Sequence, residues 1–361
     1  MIIKELKLRN FRNFKNCHIS FIPNINIITG LNGQGKTNLL ESLVFLSTTK
    51  SHRVNEDQKM IKINTEFSNI DCLYNDGIDY KIGAVIHQKG KSLLINKQYI
   101  SKSSEFIGLL NVILFSPSDI NIFNDSPRVR RKLMDLEITK VNKKYVNCLN
   151  NYQKLLKERN ITLKNEKIDS IYLNTLEDQM IENQKYIIEE RIKFIENINE
   201  NINKYFKKIN GEDLNIEIEY LSCVDCNEKN LDELLKDMYI SNFERDRYTQ
   251  LTNSGIHRDD LLFKIDNQNV NDYASQGQRR VVIMSFKLSL IEYIKKVTKK
   301  IPVLLLDDVL SELDIKRQTN LLNCIEDEIQ TIITTSVLSN NLRNLNKNIS
   351  IKEIKDGKII N

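Results

Sequence analysis

The most constraining feature of this 361-residue chain is one octapeptide, Gly30-Leu31-Asn32-Gly33-Gln34-Gly35-Lys36-Thr37. It matches the pattern G-x4-G-K-[ST] and lies between a predicted strand, residues 25–28, and a predicted helix, residues 38–46. In such a unit the backbone N–H groups at the helix N-terminus face an anion. Because three of the 11 glycines in the chain fall within these eight residues, the octapeptide predicts a phosphate-binding P-loop rather than an incidental turn.

Two side chains of this loop carry the predicted chemistry. Lys36 can reach the β- and γ-phosphates of a nucleotide and is counted as catalytic, and Thr37 can offer its hydroxyl to Mg²⁺. The predicted nucleotide contacts are Gly30, Leu31, Asn32, Gly33, Gln34, Gly35, Lys36, Thr37 and Asn38.

A second motif is the apolar run 303–306, which ends in Asp307 and Asp308. An unbroken apolar run of this length is typical of a strand in the middle of a parallel sheet. Asp307 is positioned to hold Mg²⁺, directly or through water, and Asp308 to orient or deprotonate a water for attack on the γ-phosphate. Many P-loop ATPases have a glutamate where this chain has the shorter Asp308, so slow hydrolysis is expected.

A third motif is the pentapeptide Ser275-Gln276-Gly277-Gln278-Arg279, at the predicted start of a helix running to about residue 295. Taken alone, it favours a serine N-cap on a core helix. Taken with the Asp-Asp strand and with the downstream segment 311–314, it resembles the signature of ABC-type ATPases. In that interpretation Ser275, Gly277 and Gln278 contact a nucleotide at the helix N-terminus.

Further segments, in order along nearly the whole chain, resemble the RecF family of bacterial DNA repair proteins. They are Leu8–Phe14, Asn32–Glu41, Ser51-His52-Arg53, Phe115-Ser116-Pro117 with Asp119, Pro127 with Arg130, Arg131 and Asp135, Tyr152 with Lys154–Lys157 and Arg159-Asn160, Gly255 with His257–Asp260, and Leu305–Asp314. Two positions depart from the wider ABC pattern: no Gln lies near Ser116, and no His stands at Thr335.

The resemblance implies an α/β fold, an ABC-type P-loop ATPase head with an inserted helical lobe. It implies ATP and Mg²⁺ as ligands, weak ATPase activity and a homodimer in which each signature meets the nucleotide of the other protomer. It also implies DNA binding at single-strand gaps or duplex junctions in recombinational repair and replication restart, together with RecO and RecR, to help place RecA. One P-loop and one signature per chain fit an isologous dimer with two composite sites.

The middle of the chain has a different texture. Between residues 128 and 209 strand patterns vanish, and Ile181, Ile188, Ile195 and Ile202 recur every seven residues. This spacing predicts a helix with one narrow apolar seam. The seam lasts only three to four heptads, which favours a compact lobe over a long coiled-coil arm. The predicted head is 1–125 with 245–361, and the predicted, mainly helical lobe is 126–244.

Charge and composition bound the partners and the compartment. The net charge of +5 permits nucleic-acid binding without requiring it. The run Arg128, Arg130, Arg131 and Lys132 is either a solvated helix face or a set of DNA phosphate contacts. No apolar stretch approaches the roughly 20 residues of a membrane span, and the first residues lack a signal-peptide pattern, so a cytoplasmic location is expected. Cys223 and Cys226 have metal-ligand spacing but no second pair, and no metal site is expected there.

Three alternative classes carry similar motifs. A transporter ATPase subunit is disfavoured by the missing switch histidine and the helical insertion. A structural DNA tether of the structural-maintenance-of-chromosomes (SMC) type needs arms of hundreds of residues, which this chain lacks. A small-molecule kinase has no use for the signature motif. Sizing the protein with and without ATP, then adding duplex DNA, discriminates among these classes.

Overall fold

The computed structural model describes residues 1–226, 230–338 and 348–360. The chain divides into two compact units. The first comprises Met1–Ile120, Asn201–Leu214 and Ser275–Asn361, and the second Asn121–Glu200 and Asn215–Ala274. These limits differ from the predicted boundaries at 125/126 and 244/245. Residues 201–214 fall in the first unit, and residues 121–125 and 245–274 fall in the second.

The strands, in chain order, are β1 (Ile2–Phe11), β2 (Phe14–Ser20), β3 (Ile25–Thr29), β4 (Phe67–Asp76), β5 (Ile78–His87), β6 (Gly90–Ile95), β7 (Gln98–Ile100), β8 (Val112–Phe115), β9 (Ile216–Leu221), β10 (Asp260–Ile265), β11 (Gln268–Asn269), β12 (Val303–Asp307), β13 (Thr331–Thr335), β14 (Ile349–Lys355) and β15 (Lys358–Ile360). The helices are α1 (Lys36–Thr48), α2 (Ser103–Phe106), α3 (Pro127–Val141), α4 (Lys143–Thr162), α5 (Ser170–Asn210), α6 (Leu231–Thr249), α7 (Val270–Tyr273), α8 (Gln276–Thr298) and α9 (Ile315–Cys324). Short 3₁₀ helices span Asp57–Met60, Pro117–Phe123 and Val309–Glu312.

The first unit contains two six-stranded sheets. One has the order β15-β14-β3-β13-β12-β8 and is parallel except for the β14–β15 pair. The other, β2-β1-β4-β5-β6-β7, is antiparallel throughout. The predicted α/β class is confirmed, and β12 is a buried strand inside a parallel sheet, as its apolar run predicts.

Two helices cover the parallel sheet in the first unit. Helix α1 packs against β8, β12 and β13, and α8 packs against β8. Every residue of α8 from 281 to 291 is buried, so this helix is buried on all sides, as expected of a core helix. The sheet and α1 together fix the loop between β3 and α1, which is the predicted P-loop.

The second unit contains α3, α4, α6, most of α5 and a three-stranded sheet in the order β11-β10-β9. Strand β10 pairs with β9 along its whole length, which is why residues after 245 belong to this unit. A strand signal in the sequence does not reveal its pairing partner. None of the helices within the described ranges is long and apolar enough to cross a membrane.

Helix α5 is longer than the predicted seam, with 41 residues, or roughly 60 Å at 1.5 Å per residue. Its buried side chains occupy adjacent positions in successive heptads, such as Met180 with Ile181 and Phe194 with Ile195. The buried face is therefore broader than the narrow seam expected from the isoleucine repeat, as suits a helix packed on several neighbours rather than on one.

Candidate nucleotide-binding site

The P-loop connects β3 to α1, and its shape depends on glycine at two positions. Gly30 has a φ of +144° and Gly35 a φ of +113°, both in a region that favours glycine. A Cβ atom on Gly30 would lie 2.4 Å from the carbonyl oxygen of Ile354, and one on Gly35 would lie 2.7 Å from the Asn13 side chain. The backbone can follow this path only without side chains at these positions.

The loop is anchored from the β1–β2 turn. Asn13 donates from Nδ2 to the carbonyl oxygen of Gln34 at 2.7 Å and accepts from Asn38 Nδ2 at 2.9 Å. Leu31, Asn32 and Gly33 are exposed. Gly35 caps α1 without a side-chain hydrogen bond, so the N-terminal turn of this 13-residue helix has no side-chain acceptor from its cap. Such a turn can bind an anion through its backbone N–H groups.

Lys36 is buried and points its ammonium group into the loop. Its Nζ donates to the carbonyl oxygens of Gly30 at 2.7 Å and Leu31 at 3.1 Å. Burial lowers the pKa of Lys36, while the charges of Asp308 and Asp307 act in the opposite direction. The cation is therefore held by neutral carbonyls beside two carboxylates.

The end of β12 meets the P-loop at Asp307. Its Oδ1 accepts a hydrogen bond from the Thr37 hydroxyl at 2.9 Å and another from the Thr334 hydroxyl at 2.7 Å. Burial raises the pKa of Asp307, and the hydrogen bonds from Thr334 and Thr37 oppose that rise. The structure thus brings together the two predicted Mg²⁺ ligands, Thr37 and Asp307, although their numbers differ by 270.

Asp308 follows in the left-handed conformation, with a φ of +51°. Its backbone N–H donates to the carbonyl oxygen of Thr334 at 3.0 Å. Its Oδ1 is buried and has no hydrogen-bond partner among the described residues. A buried carboxylate oxygen without a donor is costly. An unpartnered acceptor beside the P-loop therefore fits a site that receives a water.

The signature motif forms the start of α8 and caps it. The Ser275 hydroxyl accepts from the backbone N–H of Gln278 at 3.2 Å, and the Gln278 side chain accepts from the Ser275 N–H at 3.0 Å. These two bonds form a capping box. Within a single chain, Ser275 therefore acts as the N-cap of α8. Both residues hydrogen-bond each other here, and Ser275 is exposed. A Cβ on Gly277 would lie 2.9 Å from Arg317 Nη1.

The two departures from the wider ABC pattern have local partners. The backbone N–H of Ser116 donates to Asp119 Oδ2 at 2.7 Å, and Lys287 donates to the same oxygen at 2.7 Å. The Thr335 hydroxyl donates to the carbonyl oxygen of Val337 at 2.8 Å. These contacts hold the ends of β8 and β13 and assign no catalytic role to Ser116 or Thr335.

A buried carboxylate next to the loop received no role from the sequence. Glu41, on α1, accepts from Arg12 Nε at 2.8 Å and Nη2 at 2.6 Å, from Ser51 Oγ at 2.5 Å and from Arg53 Nη1 at 3.4 Å. Burial favours its neutral form, but Arg12, Ser51 and Arg53 together hold the pKa of Glu41 below its ordinary value. Arg53 also donates to Asn38 at 2.6 Å. The signal in the sequence was a single acid inside an apolar helix.

The predicted DNA contacts lie at the start of α3, in the second unit, and differ in exposure. Arg130 forms a bidentate ion pair with Asp260, at 2.7 and 2.8 Å, and Arg131 donates to the carbonyl oxygen of Asp259. Arg128 and Lys132 are exposed, and no ion pair of theirs is found in the described part of the chain. The cluster is therefore half structural, with Arg128 and Lys132 available to an external anion.

The other sequence feature with possible ligand chemistry is the pair Cys223 and Cys226. The backbone N–H of Cys223 donates a hydrogen bond to Asp259 Oδ1 at 2.9 Å. Residues 1–226, 230–338 and 348–360 contain no group of three or more His, Cys, Asp or Glu side chains that could hold a metal ion.

The sequence and the fold match known proteins over nearly the full chain. The family model described as RecF/RecN/SMC N terminal domain matches residues 2–360. A DNA replication and repair protein RecF from Lachnoclostridium phytofermentans is 41% identical over 349 residues, covering 95% of each chain. Another, from Streptococcus gordonii, is 38% identical over 366 residues, covering 99% of this chain and all of that one.

Solved structures of RecF and of an Smc head domain share the fold of this chain. The recombination mediator protein RecF bound to ATP, from the RecFOR pathway, has a TM-score of 0.90 at 31% identity, covering 99% of this chain and 97% of that chain. The Smc head domain with an extended coiled coil, from Pyrococcus furiosus, has a TM-score of 0.58 at 18% identity, which shows a shared fold alone. The head is thus of the ABC type predicted from the sequence, and the chain belongs to the RecF family of DNA replication and repair proteins.

Proposed function

We propose that this chain is an ATP-dependent DNA-binding protein of recombinational DNA repair and replication restart. It binds ATP and Mg²⁺, dimerises through composite ATP sites, and uses slow hydrolysis as a timer for release from DNA. The observation that carries the proposal is the junction of the P-loop with β12. There the Thr37 hydroxyl donates to Asp307 at 2.9 Å, and the buried Oδ1 of the neighbouring Asp308 has no partner among the described residues.

The residues at this junction suit a magnesium nucleotide. Thr37 gives its hydroxyl hydrogen to Asp307, which leaves the oxygen lone pairs of Thr37 for a hard cation. Hydroxyl and carboxylate oxygens are ligands that Mg²⁺ prefers. When bound, Mg²⁺ would be held by Thr37 and Asp307 and would supply positive charge to offset that of the phosphates. Lys36 exchanges its two loop carbonyls for phosphate oxygens, which bind its ammonium group more strongly.

Asp308 is the proposed general base. Its unpartnered Oδ1 accepts a hydrogen bond from a water and orients that water for in-line attack. A positioned base contributes about 10²–10⁴-fold to a rate. The aspartate side chain is one methylene shorter than that of glutamate, so its reach to the water is poorer and the proposed turnover is slow.

Ser275, Gly277 and Gln278 complete the site from the partner protomer. Their position at the N-terminus of the 23-residue helix α8 gives them a favourable electrostatic field for a γ-phosphate. The chain carries one P-loop and one such motif, so two copies of the same surface form two composite sites. ATP then stabilises the dimer by its greater affinity for the closed state.

DNA binding is assigned to the exposed cations Arg128 and Lys132, which are available to phosphate groups. A similar solved protein is described as a recombination mediator of the RecFOR pathway. By analogy with that pathway, we assign RecR and RecO as protein partners. From the family resemblance of the sequence, we further assign RecA as the protein placed on DNA with their help, and gaps or duplex junctions as targets. The proposed location is the cytoplasm.

The test is the Asp308→Asn variant. It keeps Asp307 and Thr37 for the metal but loses the base, so ATP binding should persist while hydrolysis falls by about 10²–10⁴-fold. The variant should accumulate as an ATP-dependent dimer and dissociate from DNA more slowly than the parent. Light scattering after size exclusion measures the dimer, and the off-rate from a gapped duplex measures the dwell time.

Ser275→Arg is a second variant, which tests the composite site. It should bind ATP as a monomer and fail to dimerise with it, because a bulky cation blocks the approach of the partner's nucleotide. Equal DNA off-rates for the parent and Asp308→Asn, with equal dimer populations, would remove hydrolysis as the release step. Loss of ATP binding by monomeric Ser275→Arg would place the motif in its own chain's site instead.

A further inference from the structure

One side chain contacts both aspartates of the site and lies outside the sequence motif that identifies them. Thr334 lies on β13, directly opposite Asp307 in the parallel register of β12 and β13. It is 1% exposed. The register alone decides this pairing, since a shift of one residue would put the Thr334 side chain on the other face of the sheet.

The Thr334 hydroxyl both donates and accepts hydrogen bonds. It donates to Asp307 Oδ1 at 2.7 Å, with a longer contact of 3.4 Å to the carbonyl oxygen of Leu306. It also accepts from the backbone N–H of Asp308 at 3.2 Å. A threonine hydroxyl has one hydrogen to donate, and the shorter bond commits it to Asp307.

These bonds fix what each carboxylate can do. Both hydrogen bonds recorded for Asp307 fall on Oδ1, and Oδ2 receives none from the described residues. Two donors on one oxygen lock the rotation of the carboxylate and leave the other oxygen for a cation or its water. The same Asp308 N–H also donates to the Thr334 carbonyl oxygen at 3.0 Å, so the hydroxyl adds to a backbone bond that supports the left-handed conformation of Asp308. That conformation is uncommon for a residue other than glycine.

We propose that Thr334 is a positioning residue, which orients Asp307 for the metal and Asp308 for the water. The inference rests on the proposed magnesium-dependent hydrolysis and adds a residue from a third strand to its site. Thr334 itself touches neither nucleotide nor metal in this assignment; it acts through the two aspartates. Residues that hold metal ligands in this way typically contribute 10–100-fold to metal affinity or activity.

A second threonine on the same strand offers a matched comparison. Thr331 is fully buried on β13, but its hydroxyl donates to the carbonyl oxygen of Ile329 at 3.2 Å and contacts neither aspartate. Thr331→Val and Thr334→Val remove the same atom from the same strand at nearly equal burial. A difference between them therefore reports on the aspartates rather than on the loss of a buried hydroxyl.

The experiment measures the Mg²⁺ concentration that gives half-maximal ATP hydrolysis. We expect Thr334→Val to raise it by about 10-fold or more, while Thr331→Val and Thr334→Ser stay close to the parent. Nucleotide affinity measured in EDTA should change little, because the P-loop is untouched. If Thr334→Val does not fold, Thr334→Cys replaces it, since a thiol has a similar size and donates weakly.

A second readout does not need turnover. Binding of Mn²⁺ to the protein holding a non-hydrolysable ATP analogue, followed by electron paramagnetic resonance, should weaken in Thr334→Val by a similar factor. Unchanged Mn²⁺ binding together with an unchanged Mg²⁺ requirement would overturn the role of Thr334. A parent that fails to hydrolyse ATP, yet loses Mn²⁺ affinity on Thr334→Val, would overturn the proposed hydrolysis and leave the role of Thr334 standing.

Discussion

The two units of this protein hold their functional cations in different ways. In the first unit, the Lys36 ammonium group is bound by neutral backbone carbonyls of its own loop. In the second, the Arg130 guanidinium group is bound by both oxygens of the Asp260 carboxylate. An anionic ligand replaces a neutral carbonyl at little cost, but it must compete with a carboxylate for a paired arginine. Availability to a ligand therefore depends on the partners of a cation, not on how many cations lie nearby.

The same contrast divides the basic run of α3. Arg130 and Arg131 are tied to Asp260 and to the backbone of Asp259, whereas Arg128 and Lys132 are exposed. Two of the four cations therefore stabilise the second unit, and two remain for phosphate contacts. Three variants test this contrast between available and paired cations.

Lys36→Met should have the largest effect. It removes the fixed cation of the P-loop, and two charge-assisted hydrogen bonds of about 1.5 kcal/mol each correspond to at least a hundredfold loss of ATP affinity. Fluorescence titration with a labelled ATP measures it. Lys89→Met, at an exposed position in the β5–β6 turn, is the control and should bind like the parent. Parent-like binding by Lys36→Met would show that the P-loop assignment is wrong.

Arg130→Ala should weaken the second unit locally. It leaves Asp260 partly buried without its partner, which costs about 3 kcal/mol, the low end for breaking a buried ion pair. Hydrogen exchange of the β10 amides should then become about 100-fold faster. Arg128→Ala, two residues away and exposed, should change the same rates by less than threefold, as a change of about 0.5 kcal/mol implies. Equal effects would mean that exposure does not separate these arginines.

The double variant Arg128→Ala with Lys132→Ala should have the smallest effect on the fold and a measurable one on DNA. Each duplex phosphate contact contributes about 0.9 to the log–log slope of affinity against salt, so the slope should become shallower by up to about 1.8. Fluorescence anisotropy of a labelled duplex at several salt concentrations measures the slope. An unchanged slope, with ATP binding intact, would remove both residues from the DNA interface.

Much of the first unit was predictable, because its motifs are local. The glycines at 30 and 35 permit the backbone conformation of the octapeptide, and the apolar run 303–306 requires a buried strand. Strands β5 and β6 also pair locally, across the turn before Gly90. The predicted domain limits differ from the two compact units, since the pairing of β10 with β9 joins segments about 40 residues apart.

Other features depend on contacts that no local pattern reports. Glu41 appears in the sequence as one acid within an apolar helix, and only the fold brings Arg12, Ser51 and Arg53 to it. The isoleucine repeat of α5 predicted a helix but underestimated its buried width. A seven-residue spacing records one row of contacts, whereas a helix packed on several neighbours buries more than one.

The residues that can carry phosphate, metal and water chemistry are identifiable from the sequence, because glycine, lysine, threonine and aspartate at fixed short spacings restrict the local backbone and its charges. The distant groups that meet them are identifiable only in the folded chain. The register of β12 against β13 sets Thr334 opposite Asp307, and the position of Asp260 decides that Arg130 is paired. Both are pairings between residues far apart in the sequence. Their free energy depends on the distance between the two groups and on their burial. The sequence neighbours of a residue specify neither the distance nor the burial.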